Sequence, residues 1–244
     1  MIDFPFMLET FKTLMAGVPL TLKLAASAVA LGAILALLIA LIRLSGIAVL
    51  SWTARVYLFL FRSTPLLVQI FLIYYGLGQF REIRMSFLWP ILREPYWCAV
   101  IALTLNNAAY ASEIFRGGLF AVSQGQLEAA RAGGMGKLLL LRRIMLPLAI
   151  RQALPAYGNE IILMVKATSL ASIITLMEVT GIAAKLISDT YRAIEVFIVA
   201  GAIYLAINFV LTRLVQITEY WLSPHLREAP AIAVIAAAGP EGTA

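Results

Sequence analysis

The chain has 244 residues, of which 62% are apolar and 13% charged, with a formal net charge of +6. Soluble domains carry about 25% charged residues, so the composition argues against a soluble globular domain and for a bundle of membrane spans. The Arg and Lys residues sit mainly between apolar stretches, not on a basic, aromatic-interleaved module. That excludes nucleic acid as a partner and points to cytoplasmic loops and lipid head groups.

Residues 1–19 form an external N-terminal segment; they lack the basic start of a cleavable signal. A membrane span needs roughly 20 apolar residues, and five stretches qualify within a membrane domain over 20–222. The first runs from Leu20 to Ile42, with Lys23 placed to snorkel to the interface. The second runs from Ser63 to Gly78, where Pro65 bends the helix or marks its start. The third covers 95–115, the fourth 154–176 and the fifth 194–217. Residues 223–244, rich in small residues, read as a poorly ordered cytoplasmic tail.

The connection over 116–151 carries Arg116, Arg131, Lys137, Arg142, Arg143 and Arg151. It is the most basic loop and is therefore expected in the cytoplasm. The loop with Arg43 and Arg55 and the C-terminus fall on the same side. The N-terminus and the 79–95 and 177–193 loops then face outward. The single cysteine, Cys98, precludes a disulfide framework or a Cys-based metal site within the chain. The single histidine, His225, reads as a solvated residue near the C-terminus.

The 116–151 loop has its own pattern. Ser123 and Gln126 fit a capping box, Leu127 to Ala132 suits a short helix, and Gly133–Gly134 suits its stop. A second helical run, Lys137 to Leu146, is expected to end at Pro147. Ala129 and Ala130 are small enough for close approach to a partner. Glu128 can pair with Arg131 or with a partner's basic residue, and Gly134 can take a positive φ at the corner.

These residues carry a resemblance. Glu128, Ala129, Ala130, Gly134, Ile144, Leu146 and Pro147 follow the spacing E-A-A-x3-G-x9-I-x-L-P, which resembles the signature loop of ABC importer permeases. FRSTPLLVQIFLIYYG at 61–76, AAYASEIFRGG at 108–118 and KATSL at 166–170 look like segments of the polar amino acid uptake branch. The branch includes histidine, arginine, glutamine and opine systems. Many of its members carry an amide or acidic residue where Ala167 stands.

The resemblance implies an all-α integral membrane protein with five transmembrane helices of the type I ABC importer permease fold and a cytoplasmic coupling helix. Glu128, Ala129, Ala130, Arg131 and Gly134 would couple it to two ATPase subunits, which bind the ATP and Mg. An external solute-binding protein would deliver the amino acid. A second permease, identical or paralogous, would complete the passage.

Ionisable and polar groups inside spans are candidate pathway residues: Glu160, Asn159, Asn106, Asn107 and Gln69. Glu160 is expected either to pair with an Arg or Lys of a neighbouring helix or to face a central cavity and neutralise a cationic substrate. Lys166 reads as an outer-end gate or a carboxylate partner, and Glu113 as an ion pair with Arg116. No catalytic constellation and no G-x4-G-K-[ST] loop are present. An ion-gradient-driven transporter and a non-transporting scaffold are the alternative classes. The former commonly shows inverted repeats, and none is visible here.

Overall fold

The computed structural model describes residues 3–222. The described chain is helical. Helix α1 (Phe4–Met15) is capped by Asp3, whose carboxylate accepts the Phe6 N–H at 3.1 Å. Helix α2 (Val18–Leu44) is the first long apolar helix. Helices α3 (Ala48–Ser63) and α4 (Leu66–Gln79) meet at a 106° bend. Helix α5 (Pro95–Phe120) follows two short turns at Arg81–Arg84 and Trp89–Leu92. Helix α6 (Gln124–Ala132) lies in the basic loop. Helix α7 (Lys137–Ile174) bends by 46° into α8 (Val179–Thr190), and α9 (Ala193–Leu222) closes the bundle.

Helices α2, α5 and α9 are each long and apolar enough to cross a membrane, and counting each of the two bent pairs as one span gives five among the described residues. The 27 residues of α2 extend about 40 Å at 1.5 Å per residue, more than the roughly 30 Å of hydrocarbon. The most apolar windows of α2, α5 and α9 are 33%, 61% and 22% buried, which makes α5 the central helix. Its packing rests on small residues. Ala28, Gly32, Ala36 and Ala40 recur every four residues on α2 and are buried, while α5 buries Ala99, Ala102, Ala108 and Ala111. Small side chains let helices approach closely where lipid offers no hydrophobic contrast.

Three segments expected as loops or tails contain helix. Residues 43–62 are largely α3, held by buried Ala54 and Leu58 and by the Tyr57 hydroxyl, which donates to Leu105 O at 2.5 Å. The N-terminal segment holds α1, and the 177–193 stretch holds α8. The helical run from Lys137 does not end at Pro147. Residues Leu141–Met145 form a π-helical turn, and the Leu146 N–H reaches back to Leu141 O. The wider turn accommodates the proline, whose ring would clash with a regular preceding turn. The 223–244 tail and His225 lie outside the described residues.

The two ends of the bundle are distinct. At one end, Asp3 receives Arg192 Nη1 at 2.9 Å, and Lys23 Nζ lies 4.8 Å from the centre of the Tyr96 ring. At the other, Glu113 accepts Arg116 at 2.6 Å and also pairs with Arg43, bringing together the late turns of α2 and α5. The Arg192 contact pulls the Asp3 carboxyl below its usual range, helped by the Phe6 backbone bond.

Candidate coupling hairpin and membrane polar sites

Helix α6 begins where the chain dictates. The Ser123 hydroxyl accepts the Gln126 N–H at 3.4 Å, which satisfies one free donor of the first turn. The helix stops in a Schellman arrangement: Met135 N–H bonds Ala130 O at 3.1 Å and Gly134 N–H bonds Arg131 O at 2.9 Å. Gly134 takes φ +78°, with open space where a Cβ would stand, so the glycine is required by backbone conformation and not by crowding.

The hairpin formed by α6 and the start of α7 has its own small core of Val122, Leu127, Ala130 and Leu140. Ala130 therefore packs inward, and of the two alanines only Ala129 is presented outward. Glu128 and Arg131 are exposed and make no ion pair with each other. The outward face thus presents a carboxylate, a small side chain and a guanidinium.

Within the spans the polar candidates form two separate contacts. Asn106 Nδ2 donates to Gln69 Oε1 at 3.1 Å. Gln69 Nε2 in turn donates to Phe61 O at 2.9 Å, Thr64 O at 3.1 Å and Thr64 Oγ1 at 2.9 Å. These bonds satisfy carbonyls freed where Pro65 breaks the α3–α4 helix. Gln69 and Asn106 therefore hold a corner together.

The second contact joins α5 to α7. Asn107 Nδ2 donates to Glu160 Oε1 at 3.4 Å, and Glu160 is 8% exposed. Gly32 makes room for it: a Cβ there would collide with Asn107 Oδ1. Among the described residues no Arg or Lys lies within ion-pair distance of Glu160, so of its two expected arrangements the ion pair is not formed, and an amide contacts it instead. Asn159, the neighbouring residue, is exposed, as is Lys166.

One buried carboxylate escaped sequence reasoning. Glu178 is fully buried at the start of α8 and accepts from Gly181 N–H at 2.9 Å, Tyr204 Oη at 2.6 Å and Thr21 Oγ1 at 3.3 Å. It ties α2, α8 and α9 together. The available signal was an acidic residue between two apolar helical runs, 170–176 and 179–187. Among the described residues, no three His, Cys, Asp or Glu side chains come together as a metal site.

Comparison with known proteins places this geometry. Residues 28–223 match the family described as binding-protein-dependent transport system inner membrane component. The octopine transport system permease protein OccM of Rhizobium meliloti is 60% identical over 223 residues, covering 91% of each chain. The nopaline transport system permease protein NocM of Agrobacterium fabrum is 56% identical over 226 residues, 92% of this chain and 94% of that one. The arginine ABC transporter permease protein ArtM of Escherichia coli K12 is 48% identical over 172 residues, 70% and 77% of the two chains.

Among solved structures, a crystal structure of an amino acid ABC transporter with histidines superposes with a TM-score of 0.80 at 37% identity, covering 90% of this chain and 99% of that one. An inward-facing form of the MetNI methionine ABC transporter shares the fold, with a TM-score of 0.68 at 18% identity, covering 86% and 96%. The helical architecture is thus the type I ABC importer permease fold, and the chain belongs to the family of binding-protein-dependent transport system inner membrane components, as a permease subunit of an ABC importer.

Proposed function

We propose that the chain forms half of the membrane passage of an ABC importer for basic or opine-type amino acids. It sits in the cell inner membrane with its N-terminus outside and its C-terminus in the cytoplasm. A second permease, identical or paralogous, supplies the other half. Two ATPase subunits bind ATP and Mg, and one of them docks on α6 through Glu128, Ala129 and Arg131, with Ala130 and Gly134 shaping the helix and its corner. An external solute-binding protein delivers the amino acid. The chain itself catalyses no reaction.

One observation carries this reading. Gln152, Asn159 and Lys166 recur every seven residues along α7, and all three are exposed. Seven residues are close to two turns, so these side chains share one face of α7 over about 21 Å, with exposed Ala156 and Leu163 between them. A polar stripe facing hydrocarbon is costly, whereas a water-filled passage beside a second permease accommodates it. Glu160, the buried neighbour of Asn159 on the adjoining side of α7, has no fixed cation, and this favours a positively charged substrate in the passage. Gln69, Asn106 and Asn107 support that wall. The octopine, nopaline and arginine systems of the relatives favour the same substrate class.

The test is uptake of labelled arginine into proteoliposomes that hold the complete complex and its binding protein. Uptake should require both ATP and the binding protein, and Asn159→Leu should reduce it with the complex intact. Uptake driven by an ion gradient without ATP would refute the proposal.

A further inference from the structure

Helices α2, α5 and α7 enclose a wholly apolar groove of about 390 Å³ in the cytoplasmic half of the bundle. Ile34 and Ile150 form its exposed lips, at 62% and 55% exposure. Tyr157 closes it toward mid-membrane; its hydroxyl is used up on Val29 O at 3.3 Å, so only the ring faces the groove. Leu119 and Leu146 mark the cytoplasmic end.

The helical register of α7 says which way this groove opens. Its lining residues Leu146, Ile150 and Tyr157 lie on the face opposite Gln152, Asn159 and Lys166. If the polar stripe faces the passage, as proposed above, the groove faces lipid.

Two arginines stand in the chain just before the cytoplasmic end of this groove. Leu140, Ile144 and Leu148, four residues apart, pack into the coupling hairpin. Arg142 and Arg143 lie in the π-helical turn Leu141–Met145, immediately before the groove residue Leu146. Arg142 and Arg143 are exposed and make no ion pair among the described residues. Nearby, Arg43 and Arg116 share the single carboxylate of Glu113, which leaves one further positive charge in excess.

We propose that this groove is a binding site for an anionic phospholipid of the inner leaflet, with an acyl chain between α2, α5 and α7 and the phosphate on Arg142 and Arg143. An apolar slot open to the bilayer and ending at unpaired guanidinium groups matches both parts of such a lipid. A zwitterionic lipid offers the same chains but no net charge for the arginines.

The experiment is native mass spectrometry of the complete transporter complex, delipidated and then titrated with phosphatidylglycerol or phosphatidylcholine of identical chains. Phosphatidylglycerol should be retained about tenfold more than phosphatidylcholine. The Arg142→Gln/Arg143→Gln pair should abolish that difference, and Arg142→Lys/Arg143→Lys should keep most of it. Ala33→Phe, which fills the groove, should lower retention of both lipids. Ile150→Trp covers the same groove from its lip and provides the reading if the filled variant fails to assemble.

Equal retention of the two lipids by the unmodified complex overturns the proposal. So does a preference for phosphatidylglycerol that survives the glutamine pair, or lipid retention that survives the groove variants. Loss of ATPase subunits from the glutamine pair with unchanged lipid retention assigns the arginines to a protein contact and overturns it as well.

Discussion

Asn106 on α5 donates to Gln69 on α4 across 3.1 Å, and Gln69 passes the contact on to the carbonyls of Phe61 and Thr64. The 106° corner between α3 and α4 is thus closed by one side chain from α4 and one from α5, both reaching backbone at the break. A backbone turn inside a membrane protein is stable when such groups replace the missing ladder bonds.

Gln69→Ala should therefore destabilise the complex by about 1–3 kcal/mol, since it leaves carbonyls unpaired in a buried site. Asn106→Ala should act through the same corner. A double-mutant cycle on thermal unfolding in detergent should show coupling on the order of 1 kcal/mol. Additive effects would show that the corner is held by packing alone.

Glu160 accepts from Asn107 at 3.4 Å and has no ion-pair partner among the described residues. Glu160→Gln keeps an acceptor for that amide and should leave assembly intact. Uptake of a cationic substrate should fall about tenfold more than uptake of a neutral one, the size of one lost interaction with a charge. Equal losses for both substrates, or loss of folding, would make Glu160 a structural residue.

Gly134 holds φ +78° at the end of α6. Gly134→Val places a β-branched residue in that conformation and should cost about 1–3 kcal/mol locally. The protein should still insert, while uptake is lost and docking or stimulation of the ATPase is impaired. Gly134→Asn, which tolerates the left-handed region, should retain most activity. Normal ATP hydrolysis stimulated by the binding protein in the valine variant would count against coupling through this corner.

Reporter fusions should place the ends of the bundle on opposite sides of the membrane. A fusion after Gly134 should report cytoplasm. One after Tyr191, in the turn between α8 and α9, should report the exterior. The same signal from both would contradict the topology.

The sequence disclosed the long spans because an apolar stretch of about 20 residues is a strong local signal. It also disclosed the hairpin, because Ser123, Gln126 and Gly134 act on backbone within a few residues of themselves. It did not disclose α3 or α8, whose helicity depends on partners such as Leu105 and Tyr204 far along the chain. Glu178 was missed for the same reason: its cost is offset by Thr21 and Tyr204, 157 and 26 residues away. Intramembrane polarity marked Gln69, Asn106 and Glu160 as unusual. Which were latches and which stood near the exposed stripe depended on packing directions that spacing alone leaves open.

The hairpin's private core has a mechanical consequence. Because Val122, Leu127, Ala130 and Leu140 close it from within, a push at Ala129 finds little slack inside the hairpin to absorb it. The load leaves by two exits, the end of α5 and the π-helical start of α7. Those two helices also carry Asn107 and Glu160. Under the proposed orientation, docking on α6 and the Asn107–Glu160 contact would share one pair of levers.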